Sequence, residues 1–179
     1  MGTIVTKKRR LRGVLAGSNS SVWLIRAALV VGAIASVAVL WLFATQVQTD
    51  AEVVVYKTAS CECCHKWVEH LRDAGLEVGV VTVPSTQAAQ ERAGVPPALR
   101  SCHTASVGER WVEGHVPADL VRQLVDGKLP DVRGLAVPGM PLGSPGMEGP
   151  DPVRYDVVAV DTRGTTRIVA SRQGQAAVE

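Results

Sequence analysis

The sequence predicts an α/β domain, a sandwich of helices on a sheet with a C-terminal β-hairpin, preceded by one N-terminal transmembrane helix. Three observations carry this reading. Residues 27–44 form an 18-residue run without a charge. Two β-branched runs, Glu52–Tyr56 and Val78–Val83, flank a segment whose apolar residues recur at helical spacing. Near the C-terminus, Tyr155–Val160 and Thr165–Ala170 bracket the turn Asp161–Gly164, which reads as a hairpin.

The apolar run comes first. A spanning helix needs about 20 apolar residues, and Val22–Ile25 lengthen the run if Arg26 snorkels. Trp23 and Trp41 bracket it as interfacial anchors would. Lys7, Lys8, Arg9, Arg10 and Arg12 lie upstream, so the positive-inside rule keeps the N-terminus in the cytoplasm and exports the rest. The competing reading is a cleaved signal peptide. The run is longer than a usual signal core, and Phe43–Gln46 is a poor cleavage site. Either way the remainder of the chain leaves the cytoplasm.

The charge is unevenly placed. The chain has 179 residues and a net charge of +2, but six of its 19 bases precede Asp50 and no acid does, leaving 13 bases against all 17 acids. The exported part therefore offers no basic face, and nucleic acid is excluded as a partner. Aromatics make up only 4%, so the core must rest on Val, Leu and Ala.

The exported elements follow in order. Glu52–Tyr56 reads as a buried strand. Cys61–Ala74 reads as a helix, with Cys64, Trp67, Val68, Leu71 and Ala74 on one face and Gly75 ending it. Val78–Val83 is a second strand. Ser85 reads as the N-cap of a short helix to Ala93, stopped by Gly94. Val95–Pro97 forces an extended path. Thr104–Gly108 and Trp111–Glu113 read as a hairpin, and Pro117 or Ala118 opens a helix ending near Asp126. Residues 134–150 are rich in Gly and Pro, lack periodicity and read as a long loop, either functional or disordered. The order β-α-β-α-β-β-α, with a Cys motif between the first strand and first helix, resembles the thioredoxin layout. The resulting divisions are a basic leader (1–21), an anchor or signal segment (22–44), a linker (45–51), a thioredoxin-like thiol-bearing domain (52–171) and a frayed tail (172–179).

The chemistry concentrates in sulfur. Cys61, Cys63 and Cys64 put three thiols into four residues at a predicted helix start. The free N–H groups and dipole there favour thiolates. Cys61 and Cys64 have the spacing of a disulfide pair, whereas Cys63 points about 100° from Cys64 unless this stretch is a loop. Cys102 and His103 follow the double-proline segment, which in a thioredoxin layout lies beside the helix start. All four thiols can then converge.

Three readings compete. Structural disulfides suit exported cysteines, yet three cysteines in four residues suit them poorly. A dithiol oxidoreductase needs only Cys61 and Cys64 and leaves the other ligand-type residues without a role. A metal–thiolate site uses them all. Soft thiolates take Cu(I), Zn(II) or iron–sulfur clusters. Four ligands would satisfy zinc in a closed tetrahedron, while Met140 and Met147 in the Gly/Pro loop add thioethers that suit Cu(I) and hardly suit zinc. His103 is the leading imidazole ligand, although in an extended strand it would face away from Cys102. His115 reads as a second ligand or a helix cap. His65 and His70 fall off the apolar face and read as solvated. Trp67 and Trp111 are expected to shield the site from water.

At these residues the chain resembles the bacterial CopG-type copper-resistance proteins, a family long catalogued as a domain of unknown function. The resemblance runs over about residues 52–170, through Thr58–Val68, Gly94–Pro96, Ser101–Ala105, Glu113–Ala118 and the two Pro-Gly-Met repeats within Gly134–Glu148. It implies a thioredoxin-like fold, export to the periplasm, copper held by the Cys-x-Cys-Cys and Cys-His elements, and a role in copper tolerance with redox chemistry on copper. The residues expected at the metal are Cys61, Cys63, Cys64, Cys102, His103, His115, Met140 and Met147, and bridging thiolates have the capacity for more than one Cu(I). If the protein is redox-active, Cys61 and Cys64 carry the chemistry. Glu62 stands where the family usually has Gly. Anchoring through residues 22–44 rests on this sequence alone, and would hold the domain on the periplasmic side of the bacterial inner membrane as a single-pass protein, near copper exporters or other copper-handling proteins.

Overall fold

The computed structural model describes residues 19–46 and 51–178, in two units, 1–44 and 45–179. The basic residues Lys7–Arg12, the centre of the linker and the Trp41 side chain lie outside what is described. In the first unit a single helix, α1 (Asn19–Gln46), contains Val22–Val39, a stretch long and apolar enough to cross a membrane and wholly exposed. At about 1.5 Å per residue its 28 residues exceed the hydrocarbon thickness. The helix runs on through Thr45 and Gln46, the first residues expected to be linker.

The second unit is a mixed α/β domain built on one eight-stranded sheet. Its elements are β1 (Val53–Lys57), α2 (Glu62–Asp73), β2 (Val78–Thr82), α3 (Gln87–Ala93), β3 (Thr104–Val107), β4 (Arg110–Glu113), α4 (Ala118–Val125), β5 (Val132–Ala136), β6 (Arg154–Asp161), β7 (Thr166–Gln173) and β8 (Ala176–Ala177). The strand order is β2-β1-β3-β4-β5-β6-β7-β8. β1 pairs with β2 in parallel, from Val53 opposite Val78, and with β3 antiparallel. β4 pairs with β3 antiparallel and with β5 in parallel. The expected terminal hairpin is present as β6 and β7, but it continues the same sheet.

Local chemistry explains most boundaries. α2 buries Cys64, Trp67, Val68 and Leu71 of the expected stripe, while its fifth member, Ala74, is the exposed C-cap residue. It closes at left-handed Gly75, where Leu76 N–H reaches back to Leu71 O. Gly94, at φ 73°, ends α3. Ser85 is not the N-cap of α3. Thr86 occupies that position without a side-chain cap, and Ser85 Oγ accepts only the Gln87 N–H at 3.3 Å. After extended Pro96, residues Pro97–Leu99 coil into one 3₁₀ turn.

Three expectations are corrected. The loop expected from residue 134 begins with a strand, because β5 pairs with β4 and β6 on either side. Gly134 is needed there, since a Cβ would enter the Trp111 ring. The tail expected to fray carries the end of β7 and all of β8, held by pairs such as Arg172 with Ala177. Trp111 does not shield the thiols. It is buried on the other sheet face with Val95, Ala136 and Val160. The main core unites α2 and α4 with the opposite face of the sheet, through Trp67, Leu71, Val121, Leu124, Val112 and Leu135. Strand alternation thus puts Trp111 and Val112 on different faces.

Candidate metal centre

Cys61 is the N-cap of α2, in extended geometry, and the helix begins at Glu62. The four sulfurs of Cys61, Cys63, Cys64 and Cys102 all lie within 4.8 Å of one another. Cys61 and Cys64 form a disulfide, with Cα atoms 5.3 Å apart. Cys63 and Cys102 are free thiols. Helical rotation does not carry Cys63 away, because its sulfur sits 3.5 Å from that of Cys61. At the first turn the chain is only starting to wind, and alternate positions still face together.

Cys102 arrives on the segment leading into β3, the strand beside β1. It precedes β3, so it and His103 are not yet in alternating strand geometry, and both reach the site. His103 Nδ1 lies 3.3 Å from Cys102 Sγ. His115, from the far end of the β3–β4 hairpin, puts Nε2 at 3.1 Å from the same sulfur. Cys102, His103 and His115 thus form a second convergent set that shares Cys102 with the first. The hairpin's last bond, Gly114 N–H to His103 O at 3.1 Å, brings the two segments together. Gly114, at φ 69°, leaves no room for a Cβ beside Val137 O and Ser101.

The imidazoles are pinned. The Pro145 carbonyl accepts the Nδ1–H of His115 at 2.7 Å, which leaves Nε2 as a lone pair facing Cys102. His115 is therefore not a helix cap. That role at α4 falls to His70, whose Nε2 accepts the Ala118 N–H at 3.1 Å, correcting its reading as solvated. His65 is exposed and pairs with Glu69 at 3.3 Å. His103 packs against Trp67 in a tilted arrangement, with ring centroids 4.3 Å apart. Trp67 itself donates Nε1–H to Val116 O at 2.8 Å. Trp67 is fully buried beside His103, whereas Trp111 is not at the site.

Electrostatics favour neutral donors. Burial, then the Cys63 charge, pushes the Cys102 thiol up to about 12. Burial, then His115, pushes His103 down to about 3. Burial also lowers His115, against the Pro145 carbonyl and Glu148. His103 Nε2 is buried without a hydrogen-bond partner among the described residues. Half-buried sulfurs and the two imidazole nitrogens that face Cys102 are what a soft cation would satisfy.

The Gly/Pro loop packs over this centre. A Cβ on Gly146 would meet Cys63 O at 2.6 Å, Trp67 N at 2.9 Å and His115 Nδ1 at 3.4 Å. Turn bonds from Gly143 N to Met147 O and from Met147 N to Ser144 O tie the loop. Met147 is half-buried beside this contact, and Met140 is 54% exposed. Sequence reasoning passed over Glu113, a fully buried acid that accepts bonds from Ser101 N–H and Gln90 Nε2. Burial raises its carboxyl above the usual range. An acid at the interior end of a strand was the available signal.

An α/β domain that gathers four cysteine sulfurs and two imidazoles, with the half-buried Cys102 common to both sets, defines a sulfur-rich candidate metal centre. A family model described as a protein of unknown function, DUF411, matches residues 99–147. Two solved structures of a copper resistance protein, CopG, in forms 2 and 1, are each 39% identical to this chain with TM-scores of 0.64. They cover 67% and 68% of this chain, and 96% and 97% of their own lengths align with it. No curated protein matches. The chain belongs to the CopG-type copper-resistance family.

Proposed function

We propose that this protein is an extracytoplasmic copper-binding protein that takes Cu(I) through Cys61, Cys63, Cys64 and Cys102, with His103 and His115 as imidazole ligands, and supports copper tolerance. The observation that carries the reading is the convergence of four sulfurs within 4.8 Å of one another, with His103 Nδ1 and His115 Nε2 at 3.3 and 3.1 Å from the Cys102 sulfur. Sulfur donors at that spacing can be shared between ions, so more than one Cu(I) fits the donor set. The order β2-β1-β3-β4, with α2 leaving β1 at the Cys motif, supports a thioredoxin-like core within residues 52–171. Helix α1 supports an inner-membrane anchor over residues 22–44 with the domain on the periplasmic side, close to copper exporters or other copper-handling proteins.

The residues divide the work. The disulfide withholds two of the four sulfurs, so loading of the thiol side follows its reduction, which consumes two electrons and two protons from a dithiol reductant. Each thiol that binds copper gives up its proton. The Pro145 carbonyl keeps His115 in the tautomer that offers Nε2. Trp67 excludes water from the buried side. Met140 and Met147 would supply labile thioether contacts on the entry loop.

A second reading, a membrane-anchored thiol–disulfide oxidoreductase using Cys61 and Cys64, is favoured by that disulfide at a helix N-terminus. Anaerobic Cu(I) titration of the reduced full chain in detergent separates the two. The copper reading predicts tight binding that Cys102→Ser destroys. Reduction of a protein disulfide substrate, without tight copper binding, would favour the oxidoreductase.

A further inference from the structure

We propose that Glu113 is a positioning residue for the copper site, holding the Ser101 main chain so that the Cys102 thiol meets His115. The proposal rests on the copper reading of that site. Glu113 closes β4, fully buried on the face opposite Val112. Its Oε1 accepts the Ser101 N–H at 2.5 Å and the Gln90 Nε2–H at 2.7 Å. The same Gln90 amide donates to the Ser101 carbonyl at 3.1 Å. Ser101 Oγ donates to the Gly139 carbonyl. Every polar group of Ser101 is therefore engaged, and three of these four bonds lead to Glu113 or to the amide it holds.

The consequence falls on the neighbours. Cys102 follows Ser101 directly, and His115 follows Glu113 by two residues. One carboxylate group thus joins the two backbone segments that supply the 3.1 Å contact between Cys102 Sγ and His115 Nε2. The arrangement has a cost. Oε2 of Glu113 is buried with no partner among the described residues, and a buried polar oxygen left unpaired destabilises a fold. Its other oxygen, Oε1, holds both the Ser101 N–H and the Gln90 amide.

The test uses the full chain, reduced and purified anaerobically in detergent, as wild type, Glu113→Ala and Glu113→Gln. Gln keeps an oxygen that can accept both bonds. Cu(I) affinity is read by competition with a chromophoric Cu(I) chelator. In metal-free protein, the alkylation rate of Cys102 is read relative to that of Cys63. Glu113→Ala is expected to weaken Cu(I) binding about 10–100-fold, the range for lost outer-shell support, with Glu113→Gln within about threefold of wild type. The alkylation ratio should rise in Glu113→Ala and return to the wild-type ratio in Glu113→Gln. Wild-type affinity and ratio in Glu113→Ala would overturn the proposal, as would a Glu113→Gln variant no better than Glu113→Ala. If wild type binds no Cu(I), the copper reading itself fails, and the alkylation ratio alone decides whether Glu113 positions Cys102. Should Glu113→Ala not fold, Glu113→Asp, one methylene short of the Ser101 N–H, carries the same expectations.

Discussion

The two sides of the candidate centre are built differently. The thiol side comes from one stretch of chain, Cys61–Cys64, wound onto the start of α2, half of it tied as a disulfide. The imidazole side comes from segments brought together by tertiary bonds: His103 held by Gly114, His115 held by Pro145, and Trp67 held by Val116. The first side changes with two electrons. The second is rigid and dry, with both rings fully buried. Cys102 alone belongs to both. A local motif supplies reactivity, and long-range packing supplies the fixed geometry against which that reactivity works.

If Cys102 couples the sides, its loss should have the largest effect on copper. Cys102→Ser is expected to lower Cu(I) affinity by more than the roughly 10–100-fold of an outer-shell change, measured by chelator competition. Cys61→Ser should leave the Cys102, His103 and His115 set intact and lose less affinity. Equal losses would erase the distinction between the sides.

The rigid side can be strained without touching a donor. Gly146→Ala places a Cβ against Cys63 O and Trp67 N at φ 82°. A destabilisation of about 1–3 kcal/mol is expected from the backbone conformation alone, read by chemical denaturation. Trp67→Phe removes the bond to Val116 O. Leaving that buried carbonyl unpaired should cost about 1–3 kcal/mol, at the lower end if water replaces the indole. An unchanged stability in either variant would argue that the imidazole side is not held by these contacts.

The smallest effect concerns pH. Burial holds His70 below the usual imidazole value, against the pull of Glu148, Asp119 and Asp73. The neutral ring accepts the Ala118 N–H. Its contribution is therefore fully present above the unfolded value of about 6.5 and fades as pH falls through the depressed folded value. Thermal melts of wild type between pH 7 and 5 should show this loss. His70→Gln keeps an acceptor without a titrating ring, so its melting temperature should fall less over the same range.

Local signals were legible where local chemistry decides. The α2 stripe, the glycine stops at Gly75 and Gly94, and the Asp161–Gly164 turn follow from neighbours in sequence, and Asp161 Oδ1 indeed accepts the Arg163 and Thr165 N–H groups. β5 was not legible, because Val132–Ala136 contains a glycine whose reason is an indole 23 positions earlier. β8 is two alanines given strand form only by β7. In the site, the thiols and His103 were readable as a motif. The pinning of His115 by Pro145 and the Glu113–Ser101–Gln90 bridge were not, since each depends on a backbone group that no side-chain pattern announces.

The convergence of all four sulfurs on one soft cation site is tested most directly by thiol protection. The reduced full chain is loaded anaerobically with Cu(I), alkylated, and each cysteine is scored by mass spectrometry against the metal-free protein. The account predicts that Cys61, Cys63, Cys64 and Cys102 all become protected together. Protection of Cys61 and Cys64 with Cys102 alkylated as fast as without copper would contradict it.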